Sequence, residues 1–448
     1  MTIITPTGIT GITSITSTGN TLQFTSASGG NLDVNGLSVT SGSNINVSGI
    51  VTASGFVGNI TGNINSTGVS TVTTLRSTSI VGVSSIGVTT SYVTSINDGP
   101  ISGARNRIIN GAMEIAQRGI SATYAGTSQN QSTYNTIDRF AFASYGSYPA
   151  GTYATVAQIA DAPVGFSSCL RVTANQTLTV GSSNARGVWV TQAIEGYNFV
   201  DLWNKPITVS FWVKTSNVGT YSLAFSGTGS TAGYATSYTV NSANTWEYKS
   251  VTLTHSTSLY TPDRSNGVAL TLVFGLLGDA TWIGTATANQ WVSANVPYLH
   301  GCKNLFDTLN ATWQITGVQL EAGTVATPFE RRSYGQELAL CYRYYRKYSS
   351  SGSTYTSFGS GLTGGSSSIN RWGFSLDIPM RTTPTVAFTN CVGWNGPIGG
   401  AISVAGSYTT NNNIDLDLNT SGLNTTVGFI AKVLLLSNGY AELTGAEL

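Results

Sequence analysis

The first hundred residues constrain this chain more than any motif in it. Across residues 1–100, 61 positions are Ser, Thr, Gly or Asn and 23 are Ile or Val. Asp33, Arg76 and Asp98 are the only charged residues there, and Trp and Cys are absent. A globular core is filled at close-packed density by large side chains of varied shape, and this segment offers almost none. It is therefore predicted not to fold as a lone globule. Ile9, Ile12 and Ile15 recur every third residue, and Gly68-Val69-Ser70-Thr71-Val72 is echoed by Gly82-Val83-Ser84-Ser85-Ile86. That is the texture of short β pieces separated by glycine turns. Three such chains wound together bury a shared row of Ile and Val and leave the polar residues to water, which makes a fibre shaft. A flexible Gly/Ser linker is the alternative, although linkers seldom carry β-branched aliphatics in this number.

The whole chain extends this bias. Only 9% of its 448 residues are charged and the formal net charge is +1, so no basic field exists to compete for nucleic acid against salt. With 52 glycines and few long helix formers, strands and turns are favoured over helices. No stretch reaches ~18 uninterrupted apolar residues and Met1 to Thr10 lacks the pattern of a signal peptide, so neither membrane insertion nor secretion is expected. Cys169, Cys302, Cys341 and Cys391 are too dispersed for a disulfide scaffold or a zinc site and read as buried free thiols.

From about Ala104 a globular texture begins. The run from Pro206 to Lys214 alternates large apolar residues with small or polar ones until Trp212, as a half-buried strand does. Trp246 to Leu253 does likewise, and Val268 to Leu277 reads as a more buried strand. Trp212 and Trp246 are expected in the core. Several short strands over this length predict an antiparallel sandwich or jelly roll. The spacing over 334–348 predicts a helix, with Tyr334, Leu338, Cys341, Tyr345 and Tyr348 in heptad register. That stripe serves equally as the seam of a three-chain collar or as the face of a helix lying on its own sandwich. Strand patterns resume at Trp372-Gly373-Phe374-Ser375-Leu376 and run to Val433-Leu434-Leu435-Leu436. The fold class is thus mainly β: a fibrous shaft at 1–100, a jelly roll at 101–333, a helical collar at 334–348 and a β-sandwich tip domain at 349–448.

Several runs, in this order, resemble tail-fibre and tail-associated structural proteins of bacteriophages. They are Val51 to Gly62, similar to cyanophage fibre repeats; Arg105-Asn106-Arg107-Ile108-Ile109-Asn110-Gly111 with Gln117-Arg118-Gly119 and Ile137-Asp138-Arg139-Phe140; and Gly317 to Gly323 with Thr327-Pro328-Phe329-Glu330. Glu337-Leu338, Cys341 to Tyr345 and Pro379 to Val386 complete the set. The strand around Phe211-Trp212 looks like a carbohydrate-binding-module type of jelly roll. The resemblance implies a trimeric virion protein of the tail, joined to other tail or baseplate proteins through its N-terminal region.

Little catalytic chemistry is legible. Glycoside cleavage needs two carboxylates ~5–9.5 Å apart. Of Asp138, Glu321, Glu330, Asp377, Asp415 and Asp417, only the last two have a spacing that puts them on one face of a strand. His255 and His300 are too few for a histidine metal centre, no phosphate-cradling glycine loop opens a helix, and neither a cofactor nor a covalent reaction is expected. Sugar binding needs aromatic faces with a few amides or carboxylates. The candidate host-contacting set is Trp394 and Asn395 in a Gly/Pro loop, Asn411 and Asn412, and Asp415 and Asp417, with a host-surface glycan as partner. A purely architectural baseplate role and a polysaccharide-degrading spike are the competitors. The weak core of residues 1–100 carries the first testable expectation: light scattering on purified protein should give three times the 46.8 kDa mass of one chain, and a monomer mass would remove the shaft reading.

Overall fold

The computed structural model describes residues 12–18, 21–26, 105–180, 186–254, 259–279, 282, 288–350, 356–363, 370–394, 399–420 and 430–448. The chain divides into two compact units, Met1–Gly87 and Val88–Leu448. In the first, β1 (Ile12–Thr18) and β2 (Thr21–Ser26) pair as an antiparallel hairpin that closes with Thr18 opposite Thr21. Part of the stretch with isoleucine at every third residue is therefore a strand. The rest of the shaft expected over 1–100 lies outside the described residues.

The described residues of the second unit open with thirteen strands. They are β3 (Ser121–Ala125), β4 (Ser128–Thr133), β5 (Ala141–Ser147), β6 (Thr152–Ile159), β7 (Cys169–Ala174) and β8 (Gly187–Glu195). After these come β9 (Pro206–Thr215), β10 (Gly219–Gly227), β11 (Gly233–Val240), β12 (Glu247–Thr254), β13 (Val268–Gly278), β14 (Gln290–Val292) and β15 (Thr312–Ala322). Seven of them form a sheet in the order β14-β11-β10-β13-β8-β5-β4, and six form a second in the order β12-β9-β15-β7-β6-β3. Every pairing is antiparallel, and the two inner faces enclose one core, giving the jelly-roll type of sandwich anticipated from the strand pattern.

Side-chain alternation decides what each strand buries. On β9, Ile207, Val209, Phe211 and Val213 point inward, where Phe211 packs edge-on against Tyr238 and Phe274. Trp212 is consequently turned to the outer face and is only half-buried, which corrects its expected core position. Trp246 is also half-buried, 5.3 Å from the Lys214 ammonium at the sheet margin. Trp313 takes the central core position instead, with its indole N–H donating to the Tyr238 hydroxyl at 3.0 Å. β15 changes phase along its length. Trp313 and Ile315 face inward, but so do Val318, Leu320 and Ala322, because a bulge between Thr316 and Gln319 inserts a residue. Gly317 sits at that bulge with φ near +63°, and a Cβ there would lie 2.7 Å from the Phe166 ring.

The run Arg105–Asn110 is built into this frame. Asn106 and Asn110 are almost fully buried. Asn106 Oδ1 accepts from the backbone N–H groups of Ile108 and Leu320 while its Nδ2 donates to the Val318 carbonyl. Asn110 does the same with Ile115 and Asp138, and Gln192 of β8 exchanges two hydrogen bonds with the Ile109 backbone. Buried amides with both ends satisfied fix a chain path without leaving a desolvated polar group.

One helix follows, α1 (Tyr334–Tyr342), started by Ser333 and Gln336 in a capping box. It is shorter than the expected 334–348. Beyond Tyr342 the chain turns, with Tyr344 and Tyr345 N–H groups both donating to the Cys341 carbonyl, and β16 (Arg346–Ser349) pairs with the last strand. That pairing withdraws Tyr345 and Tyr348 from the helix, so the five heptad positions do not line one stripe. Cys341 and Leu338 pack on Ile109 and Ile115 of the sandwich, Tyr334 is exposed, Tyr345 is buried, and Tyr348 joins Phe358 and Phe374 in the following domain.

The remaining strands are β17 (Thr356–Thr363), β18 (Asn370–Ser375), β19 (Thr385–Trp394), β20 (Gly399–Ser407), β21 (Asn413–Thr420) and β22 (Ile430–Thr444). Their sheet runs β16-β22-β17-β18-β21-β20-β19 and meets itself through β19–β22 pairing. Trp372, Met380, Ile414, Leu416, Leu418, Leu435 and Leu443 fill its interior.

Charged groups join this domain to the sandwich. Arg139 is 1% exposed; it pairs with Glu447, donates to the Ala193 carbonyl at 2.7 Å and stacks on Tyr344 with 3.6 Å to the ring centre. Arg118 also pairs with Glu447, at 3.0 Å, and lies over Tyr345. Buried Glu195 receives Arg343 and, at 2.6 Å, the Tyr344 hydroxyl. Asp138 accepts from the Gln117 side chain and backbone, and Gln117 in turn donates to the Tyr345 carbonyl.

Two outcomes follow from this joint. Removing one member of a buried pair costs about 3–5 kcal/mol, so Glu447→Ala should lower the thermal midpoint by several degrees, and Arg139→Met combined with Glu447→Leu should recover part of the loss. A midpoint unchanged in Glu447→Ala would mean that the pair is solvated. Burial pushes the Asp138 carboxyl up to about 6, against the lowering effect of its hydrogen bond from Gln117. The folded state then holds its proton more tightly than the unfolded state, so stability from this group is complete below about pH 4 and is lost as pH rises through about 6. Relative to Asp138→Asn, the wild-type protein should be more stable at pH 4 than at pH 7.5, as read by urea denaturation at the two pH values.

Candidate functional site

The outer side of the seven-stranded sheet is made of small residues. Ala143, Ala193, Ala224 and Ala235 alternate there with Ser222, Ser226, Thr191 and Thr271, while the intervening residues fill the core. A face this flat lets other chain lie upon it. Tyr298 fits over Gly275 and Gly278, where a Cβ would come within 2.6 and 2.5 Å of its ring, and the Leu299 N–H donates to Ser222 Oγ at 2.9 Å. The segment carrying Val292, Asn295, Val296 and Leu299 thus covers one part of the sheet.

The uncovered part is a groove of about 370 Å³. At one end stand Tyr145 of β5, Trp189 of β8 and Trp282. Tyr145 and Trp189 stack at 5.2 Å and 24°, and Trp282 meets Trp189 edge-on at 5.2 Å and Tyr145 at 5.1 Å. Gly187 makes the cluster possible, since a Cβ there would sit 2.2 Å from the Trp189 ring. Ser132, Thr191, Ser226, Ser230, Thr271 and Asn295 supply hydroxyls and an amide along the groove, and Tyr134 and Leu448 line it too. Ser226 donates to Asn295 Oδ1 at 3.4 Å, a long bond that leaves both groups acceptor or donor capacity. No Asp, Glu, Lys or Arg side chain is among the described lining residues. Burial pushes the Tyr145 phenol up, so it remains a neutral donor.

The residues expected at a tip site fall in two places. Trp394 ends β19 opposite Gly399 and is half-buried, and Asn395 lies outside the described residues. Asn411 and Asn412 are exposed in the turn between β20 and β21, where their carbonyls accept from Met380 and Leu376 N–H groups at 2.7 and 2.9 Å. Asp415 and Asp417 share one face of β21, and Asp417 is paired with Arg371 of β18 at 3.2 Å. Asp417 stands opposite Gly406, seven residues along β20 from the partner of Trp394, which is about 23 Å of strand. Trp394 therefore does not share a site with the hairpin.

The other carboxylates singled out are occupied. Glu321 accepts from Gln319 and Thr327, Glu330 from the Asn106 N–H, and Asp377 from Arg346. Among the described residues no group of three metal-ligating side chains occurs, and all four cysteines are unbridged. Trp189 and Trp282 were not legible as site residues: Trp189 lies in a run, Val188-Trp189-Val190, that is apolar at every position and gives no sign of which face it shows.

No protein-family model matches the chain, and no curated protein matches its sequence. Among solved structures it is similar to a candidate sugar-binding protein from Bacteroides thetaiotaomicron, at 11% identity over 48% of this chain and 99% of that one, with a TM-score of 0.26. It is also similar to a family 11 carbohydrate-binding module from Clostridium thermocellum in complex with a β-1,3-1,4-mixed-linked tetrasaccharide (9% identity, 46% and 99% covered, TM-score 0.24). A family 30 carbohydrate-binding module gives 8% identity, 50% and 97% covered and a TM-score of 0.23. At scores this low the likenesses carry no weight, and fold and site rest on the strand order and the groove themselves.

Proposed function

We propose that the protein binds an uncharged oligosaccharide in the groove over the seven-stranded sheet, and that it does so as a trimeric fibre of a bacteriophage tail contacting a host-surface glycan. The observation that carries the binding reading is the pairing of the Tyr145, Trp189 and Trp282 cluster with a row of neutral hydroxyls and an amide. Aromatic surface packs against the C–H faces of a pyranose, and neutral donors and acceptors match its hydroxyls without the desolvation cost of a charge. With no carboxylate side chain among the described lining residues, the groove is suited to holding a sugar rather than cleaving one. The fibre reading is supported by the ordered set of tail-protein-like runs and by the first hundred residues, which are too poor in large side chains to form their own core.

A glycan array probed with the full chain, followed by calorimetry on each hit, tests the binding reading. Trp282→Ala at the groove should weaken the best neutral ligand by at least roughly tenfold, while Trp394→Ala should leave it unchanged. Retained affinity in Trp282→Ala together with its loss in Trp394→Ala would move the site to the last domain.

A further inference from the structure

The six-stranded sheet carries a separate groove on its own outer side, about 690 Å³ in volume. Its floor is formed by Ser210 and Trp212 of β9 and Tyr248 of β12. Trp212 stands directly opposite Tyr248 in the strand register, with ring centres 5.4 Å apart. Gly317 at the β15 bulge lies beside them, because a Cβ there would be 3.1 Å from the Trp212 ring. Phe166 and Phe329, edge to face at 5.1 Å, make one wall. Trp212 is half-buried and Tyr248 is 45% exposed. Large aromatic rings on the solvent side of a sheet contribute little to the core and offer flat surface to a sugar ring.

Arg331 sets this groove apart from the first. Its guanidinium lies 4.6 Å from the Phe166 ring centre and 5.7 Å from that of Phe329, and among the described residues no carboxylate pairs with it. No Asp or Glu lines the groove. Stacking on aromatic rings orients a guanidinium while leaving its in-plane N–H donors available, and a carboxylate is the planar anion that such a fork grips with two bonds.

We propose that this second groove binds an acidic saccharide, with the pyranose face of a uronate-type sugar on Trp212 and Tyr248 and its carboxylate held by Arg331. It lies on the opposite sheet from the first groove and does not depend on the neutral-sugar reading. The chain then carries two saccharide sites of different charge preference on the two faces of one sandwich.

Calorimetry on the full chain with galacturonate, glucuronate and mannuronate trimers, and with their methyl esters, tests it. At least one trimer should bind. Methyl esterification, which keeps the shape and removes the charge, should weaken that trimer roughly ten- to hundredfold, and Arg331→Gln should do the same. Trp212→Ala should weaken the acid trimer as well, and Trp282→Ala in the first groove should leave the acid trimer's binding unchanged. The proposal is overturned if no trimer binds, if affinity is indifferent to esterification or to Arg331→Gln, or if binding is lost in Trp282→Ala instead. It is likewise overturned if Arg331→Gln or Trp212→Ala alters the oligomeric mass, since that face would then be a contact between copies.

Discussion

The buried guanidinium of Arg139 is the interaction around which the second unit is assembled. A charge removed from water in a protein of few charges is tolerable only where strong partners take the place of water. Glu447, the Ala193 carbonyl and the face of Tyr344 supply them from three parts of the chain. Because those parts are β8, the segment after α1 and the residues after β22, satisfying one side chain fixes the helix, the sandwich and the last domain against one another. Arg118, Arg343 and Arg381 repeat the arrangement around it: Arg381 donates to the Ala446 and Glu447 carbonyls and, at 3.0 Å, to that of Asn266. A joint secured in this way has far more orientational definition than an apolar seam of equal area, since planar forks and carbonyls pair in few geometries.

The sandwich was largely legible because its strands obey a two-residue period. The alternation of Ile207, Val209, Phe211 and Val213 names the inner face of β9 directly, and the same alternation sends Trp212 outward. Assigning Trp212 to the core gave its size priority over its parity. The helix was legible at its start, where Ser333 and Gln336 form a local cap. Its end was not, because the residues that follow are taken up by pairing with β22, nearly a hundred positions later in the chain. Long-range pairing leaves no local trace, and a heptad spacing that crosses such a boundary is coincidence.

The binding surfaces were the least legible part. Trp189 and Trp282 meet because β8 pairs with β13, whose chain runs on to Trp282 beside the start of β8, and nothing within either local sequence announces that meeting. The Asn, Gln and Asp residues near the entry of the sandwich carried a clearer signal, but for architecture: Asn106, Asn110 and Gln192 are spent on satisfying backbone groups and Asp138 on Gln117 inside the protein. Polar residues grouped in a recognisable run need not mark a ligand. Here they mark the place where irregular chain passes through a buried region and must bring its own hydrogen-bond partners.

The bulge in β15 works like a frame shift that has been written into the strand. Before it, odd-numbered residues face the core; after it, even-numbered ones do, and Gln319 and Glu321 are thereby delivered to the outer side to receive Thr327 and the Glu330 backbone. Straightened to a uniform frame with all its residues kept, the strand would send Val318, Leu320 and Ala322 out while carrying an amide and a carboxylate into a dry interior, and an insertion or deletion outside the bulge shifts the frame in the same way. Substitutions along β15 are therefore graded in their cost, whereas changes in its length are not. Across variants of this chain, insertions and deletions should collect in the connections between strands and stop abruptly at the borders of this one.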